Sequence, residues 1–225
     1  MDVKNIILLI VAGLNLILSL LVYSKNTKNI INVAYGSVIL SVGIWSYGIA
    51  MFRYSDNVIT ALLWARTYYI AAALIALFFL IFSIHFPYKS FILSKIKSLL
   101  IILPFIVVVI IIFIPDMMIG KISINIPTNV VTLQSSYTIY TMYFLSYMAI
   151  SFYYLTKKYA SSQGIHAIQL KYTLNATATA TFFGATFNLI LPMLGNYKLI
   201  WLGPYFTLIT FAYVSYYLFF NKHRI

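Results

Sequence analysis

Apolar residues run in seven long blocks along this chain, separated by short polar gaps: 6–23, 30–52, 58–85, 98–114, 137–155, 172–191 and 200–220. A helix rises about 1.5 Å per residue and needs ~20 apolar residues to cross a hydrocarbon core about 30 Å thick. The pattern therefore predicts an all-α, polytopic membrane protein: one bundle of seven transmembrane helices filling residues 1–225. The gap between the fourth and fifth blocks, 115–136, is the long one. Within it Ile122, Ile124 and Ile126 alternate with Ser123 and Asn125. Turn residues Pro127-Thr128-Asn129 then precede Val130, Val131, Thr132 and Leu133, so a small hairpin is expected there, capping the bundle.

Charge gives the blocks a direction. Of 15 Lys and Arg residues, ten lie in alternate gaps and the tail: Lys25, Lys28, Lys89, Lys95, Lys97, Lys157, Lys158, Lys171, Lys222 and Arg224. Four lie on the other side (Lys4, Arg53, Lys121 and Lys198), and Arg66 lies inside the third block. Basic excess marks cytoplasmic loops, so the expected orientation in the cell membrane is N-terminus outside and C-terminus inside. The net charge of +12 is dispersed over short flanking loops, which suits anionic lipid headgroups and not nucleic acid. The first block lacks a small-x-small cleavage site and reads as a retained helix, not a signal peptide.

Composition removes several function classes. The chain has no Cys, which excludes disulfides and thiolate chemistry. Glu is absent and Asp2, Asp56 and Asp116 all fall outside the blocks, so no intramembrane carboxylate is present to carry protons. His85, His166 and His223 lack the spacing of a helical metal pair, and no Lys sits within the seventh block to hold a retinal. Phosphate loops and nucleophile elbows are missing too. No cofactor and no enzymatic activity are expected of this chain.

A few polar positions inside the blocks are candidates for function. Arg66, in Leu63-Trp64-Ala65-Arg66-Thr67, has no intramembrane acid to pair with. A mid-bilayer charge costs ~2.5–3.5 kcal/mol, so it either anchors the bundle through neutral groups and lipid or contacts a ligand. The sixth block is the most polar. At 100° per residue Thr177, Thr181, Gly184 and Asn188 share one stripe and Asn175, Thr179 and Thr186 another, a pattern expected of a helix enclosed by neighbours. The first stripe either packs closely or lines a polar cavity. Ser37 with Ser41, and Ala72 with Ala76, have the spacing of close helix packing. Trp45, Trp201 and the 20 tyrosines are expected at the membrane interfaces and as core filling. Pro192 should end the sixth helix, and Gly203-Pro204 should fall in the first turn of the seventh.

In order along the chain, Asn15, Trp45, the Trp64-x-Arg66 segment, Gln169, Pro192 and Gly203-Pro204 make this sequence resemble the N-terminal seven-transmembrane sensor region of bacterial histidine kinases and related signalling proteins. The resemblance implies a sensory region that passes an extracytoplasmic or intramembrane stimulus to a cytoplasmic, histidine-kinase-type output in cis or trans. It departs from the family's usual architecture in carrying no kinase motifs of its own. The chain is thus expected to be a sensor piece or a receptor working through a partner. Candidate ligand contacts are Arg66, Trp64, Asn188 and Trp201, for an unknown small ligand. Candidate output residues are Pro204, Lys222 and Arg224. Membrane lipids are expected partners, and a homodimer is compatible. A small-solute transporter or channel and a non-catalytic membrane scaffold are the rival readings.

Overall fold

A computed structural model describes residues 2–88, 94–125 and 128–220. Local signals start the helices. The α1 helix (Val3–Lys25) opens on Asp2, whose carboxylate accepts from the Asn5 N–H at 2.8 Å. Asn29 and Asn57 do the same for α2 (Ile30–Tyr54) and α3 (Val58–His85), and Ser94 for α4 (Lys95–Phe113). Each cap satisfies a backbone donor that the first turn leaves free. These four helices are long and apolar enough to cross a membrane.

Three further helices complete the bundle. The α5 helix (Tyr137–Ser161) is long but carries seven tyrosines, which lower its hydropathy. The α6 helix (Gly164–Ala185) continues through a π-helical turn, Thr186–Ile190, and a last turn, Leu191–Met193. The α7 helix (Leu202–Ser215) likewise ends in a π-helical turn, Tyr216–Phe220. Gly195, at φ 77, closes the sixth helix: its N–H reaches the Pro192 carbonyl and that of Asn196 reaches Leu191. That pair of bonds is a Schellman ending, which needs the left-handed conformation glycine tolerates.

Helix boundaries overrun the apolar blocks. The stretch 156–171, expected as a basic loop, is helix except for Ser162 and Gln163. Hydropathy marks where lipid ends, and a helix can continue past that point into polar surroundings. Between α4 and α5 a two-stranded antiparallel pair forms, β1 (Ile119–Ser123) and β2 (Val130–Leu133), with Ile122 opposite Val131. Ile124 is exposed, while Ile126 and Pro127 lie outside the described residues.

The core lies along α2 and α3, with Tyr35, Phe52, Tyr69, Phe79 and Phe82 fully buried. Outward faces of α1 and α4 are apolar: Leu14, Ile17, Leu21, Leu99, Leu103 and Ile110 are all exposed. Only Val108, Ile111 and Ile112 of α4 are buried. Such outward apolar surface needs lipid, because exposed contiguous apolar area in water is unfavourable.

Candidate functional site

The sixth helix builds the site. Thr177, Thr181, Gly184 and Asn188, the stripe predicted from 3.6-residue spacing, all face one cavity with a free volume of about 60 Å³. Thr177 donates to the Thr173 carbonyl at 2.6 Å and Thr181 to the Thr177 carbonyl at 2.8 Å. Their hydroxyl protons are thus held within the helix. The second stripe does not face a neighbour. Asn175 and Thr179 are exposed, and Thr179 bonds back to the Asn175 carbonyl at 2.9 Å. A hydroxyl satisfied by its own helix can face outward, so polarity on two sides did not require full enclosure.

Asn188 sits in the π turn, and Pro192 explains why the turn is there. In a regular helix the N–H of residue 192 would bond the carbonyl of residue 188. Proline has no N–H and its ring clashes with that carbonyl, so the ladder widens: Leu191 bonds instead to Thr186, five residues back. Such π turns are frequent at functional sites. The Asn188 amide nitrogen is buried and has no hydrogen-bond partner among the described residues. It packs against Gly203 so closely that a Cβ there would lie 1.9 Å from it and 3.0 Å from the Trp45 ring. The sixth helix ends at Met193, one residue past Pro192, and Pro192 also reshapes the turn that precedes it.

The other walls come from four helices. Trp45 enters from α2, Tyr68, Tyr69, Ala72, Ile75 and Phe79 from α3, Tyr140, Phe144 and Met148 from α5, and Thr207 and Phe211 from α7. Among the described residues, no charged side chain lines the cavity. The hydroxyls of Tyr68, Tyr69 and Tyr197 lie against one another beside the cavity. Tyrosines on α5 fix the wall. Tyr140 donates to the Tyr69 carbonyl at 3.1 Å and Tyr143 to Ala73 at 3.0 Å, while Tyr137 donates to Leu189 at 3.0 Å. Tyr147 donates to Ile101 of α4 at 2.6 Å.

Of the four ligand candidates, the structure puts only Asn188 at the cavity. Arg66 donates to the Phe113 carbonyl at 3.2 Å and its guanidinium stacks over the Phe113 ring at 5.5 Å. It caps the C-terminal end of α4, where the helix dipole favours a cation. Its Nε is left without a partner. Trp64 packs edge-on against Tyr47 at 5.3 Å, and the Trp201 ring lies 5.7 Å from the Lys4 ammonium. Pro204 is buried at the start of α7; Lys222 and Arg224 lie outside the described residues.

Several residues here escaped the sequence reading. Trp45 and the tyrosines were assigned to interfacial belts and filling, although Tyr137, Tyr140, Tyr143 and Tyr147 recur at helical spacing and share one face. Arg53, counted only as a loop charge, is buried and pairs with Asp2 at 2.8 Å. It also donates to Asn5 at 2.7 Å and to Thr128. Beside it, Asn129 donates to the carbonyls of Phe52 at 2.7 Å and Ser55 at 2.9 Å, closing the end of α2. At the opposite end, Lys158 donates to the carbonyls of Ser83, Ile84 and Phe86 at 2.6–2.9 Å, closing the end of α3.

A family model, the N-terminal 7TM region of histidine kinase, matches residues 7–222. The chain belongs to this family. No curated protein and no solved structure matches it. Family membership and the four long apolar helices make this a membrane-embedded region of the histidine-kinase sensory type. The cavity thus lies inside a sensory region, between the helix that carries the π turn and the helix that leads to the C-terminus.

Proposed function

We propose that this chain is a sensory receptor region, oriented in the cell membrane with its N-terminus outside and its C-terminus in the cytoplasm. The β1–β2 pair then caps the outer face. A small ligand entering the cavity favours one of two arrangements of α6 against α7, and α7 carries the difference through residues 221–225 to a histidine-kinase output in cis or trans. Catalysis belongs to that output module. A ligand shifts such an equilibrium only through its differential affinity for the two states. The observation that carries this reading is the cavity itself, in a member of a sensory family, with α7 as one of its walls.

Two threonines of the same helix test it. Thr181 lines the cavity and Thr179 is exposed. With the chain joined to its kinase output in membranes, Thr181→Phe is expected to change autophosphorylation severalfold and Thr179→Phe to leave it unchanged. Equal effects, or none, would remove the cavity from signalling. Sustained solute flux in reconstituted vesicles would favour a transporter instead. The Cys-free sequence makes single-cysteine labelling a clean test of orientation: outside reagent should reach the 115–136 segment and not residue 222.

A further inference from the structure

The cavity is small, and the polar atoms of its wall are turned elsewhere. Its free volume of about 60 Å³ exceeds the ~30 Å³ share of one water and is under half the ~150 Å³ of a cavity that admits benzene. Thr177, Thr181 and Thr207 give their hydroxyl protons to the carbonyls of Thr173, Thr177 and Pro204. Tyr140 gives its own to the Tyr69 carbonyl. The Asn188 amide nitrogen lies against Gly203, and the Tyr68 and Tyr69 hydroxyls lie against each other and Tyr197. Most of the surface left facing the space is carbon, from Ala72, Ile75, Phe79, Phe144, Met148 and Ala180. Gly184 faces it too, and a Cβ there would meet nothing within 4 Å.

Size and polarity together narrow the occupant. An ion would be buried among uncharged side chains, which is heavily penalised. A buried water takes about three hydrogen bonds, and the donors of this wall are committed to other partners. An apolar molecule needs neither charge nor hydrogen bonds. It restores the dispersion contacts that atoms around an empty space lack, and apolar cavities that stay dry take up such molecules. We propose that the cavity binds one small, uncharged, apolar molecule, a dissolved gas or a hydrocarbon smaller than benzene, drawn from the surrounding bilayer. So few atoms limit the affinity to roughly millimolar, so the site responds to molecules that concentrate in the membrane. This rests on the sensory reading above and adds the chemical class of the ligand.

Two methionines of α5 supply the readout. Met148 lines the cavity, whereas Met142 is 68% exposed on the outside of the bundle. Xenon is the probe, and the methionine methyl signals are followed by nuclear magnetic resonance in lipid nanodiscs. With rising xenon pressure the Met148 signal should shift saturably, and that of Met142 only linearly, because it meets xenon dissolved in lipid. Gly184→Leu puts a side chain into the space and should abolish the saturable shift. If that variant fails to fold, Ala180→Val fills the same space and carries the same test. Benzene should give no saturable shift at Met148. A Met148 response as linear as that of Met142, a saturable shift that survives the filling substitution, saturable benzene binding, or magnetisation transfer from water to the Met148 methyl would each overturn the proposal. Saturable xenon binding that leaves kinase output unchanged would sink the sensory reading alone.

Discussion

The α1–α2 and α2–α3 contacts and the cavity beside α6 and α7 use glycine to opposite ends. In the first group glycine brings backbones together. A Cβ on Gly48 would lie 3.0 Å from the Tyr68 Cβ and 3.2 Å from its backbone nitrogen, and one on Gly43 would lie 3.3 Å from the Ala12 carbonyl. Ser19 crosses the same interface to donate to the Gly36 carbonyl at 2.8 Å. In the second group Gly184 faces open space, with nothing within 4 Å of a Cβ, and the helices themselves depart from regular α geometry at 186–190 and 216–220. Small residues create contact where a partner helix closes onto them and a cavity where surrounding aromatic rings hold the helices apart. The first region is built as a fixed frame, and the second keeps room to change.

The largest test of that contrast is Arg53→Leu, at the outer end of the frame. Removing the buried guanidinium takes away the donor to Asn5 and Thr128 and the partner of a half-exposed Asp2, which should cost about 3 kcal/mol, the upper end for hydrogen bonds to a charged group. Reversible unfolding in detergent micelles, followed by far-ultraviolet circular dichroism, would measure it; a loss under about 1 kcal/mol would show that the frame does not depend on this lock.

Next comes one substitution at two close contacts. Gly48→Ala drives a methyl into backbone atoms that cannot move, so a loss of about 2–3 kcal/mol is expected. Gly203→Ala meets chiefly the end of the Asn188 side chain, which can swing into the cavity, and should cost about 1 kcal/mol. If Gly203→Ala proved the more damaging, the α6–α7 contact would be as rigid as the α2–α3 contact. The smallest effect should be Gly184→Ala. Its methyl enters free space while a helical glycine is lost, so stability should rise by about 0.5–1 kcal/mol. A measured loss in the same assay would mean that the cavity is closed in the membrane.

Helical periodicity predicted well what it can encode. The spacing of Thr177, Thr181, Gly184 and Asn188 defines one face of a helix, and that face lines the cavity. Periodicity names the face, however, and not what lies opposite. Arg66 drew attention as a charge in an apolar block, yet its place at the Phe113 carbonyl depends on where α4 ends in space. Trp45 lies opposite Gly203 because α2 and α7 are packed together, which no local pattern records.

Sequence alone determined the number and order of the apolar segments and the caps that begin four helices. It also set the proline that widens α6 at Asn188, because a missing N–H acts four residues away on the same helix. Only the tertiary structure decided which polar groups stay unpaired, that Arg53 and Lys158 close the ends of α2 and α3, and that five helices leave a space between them. Those outcomes depend on partners 48 to 77 positions distant along the chain. Hydrogen bonds and packing are satisfied between surfaces, and surfaces exist only once the helices have met.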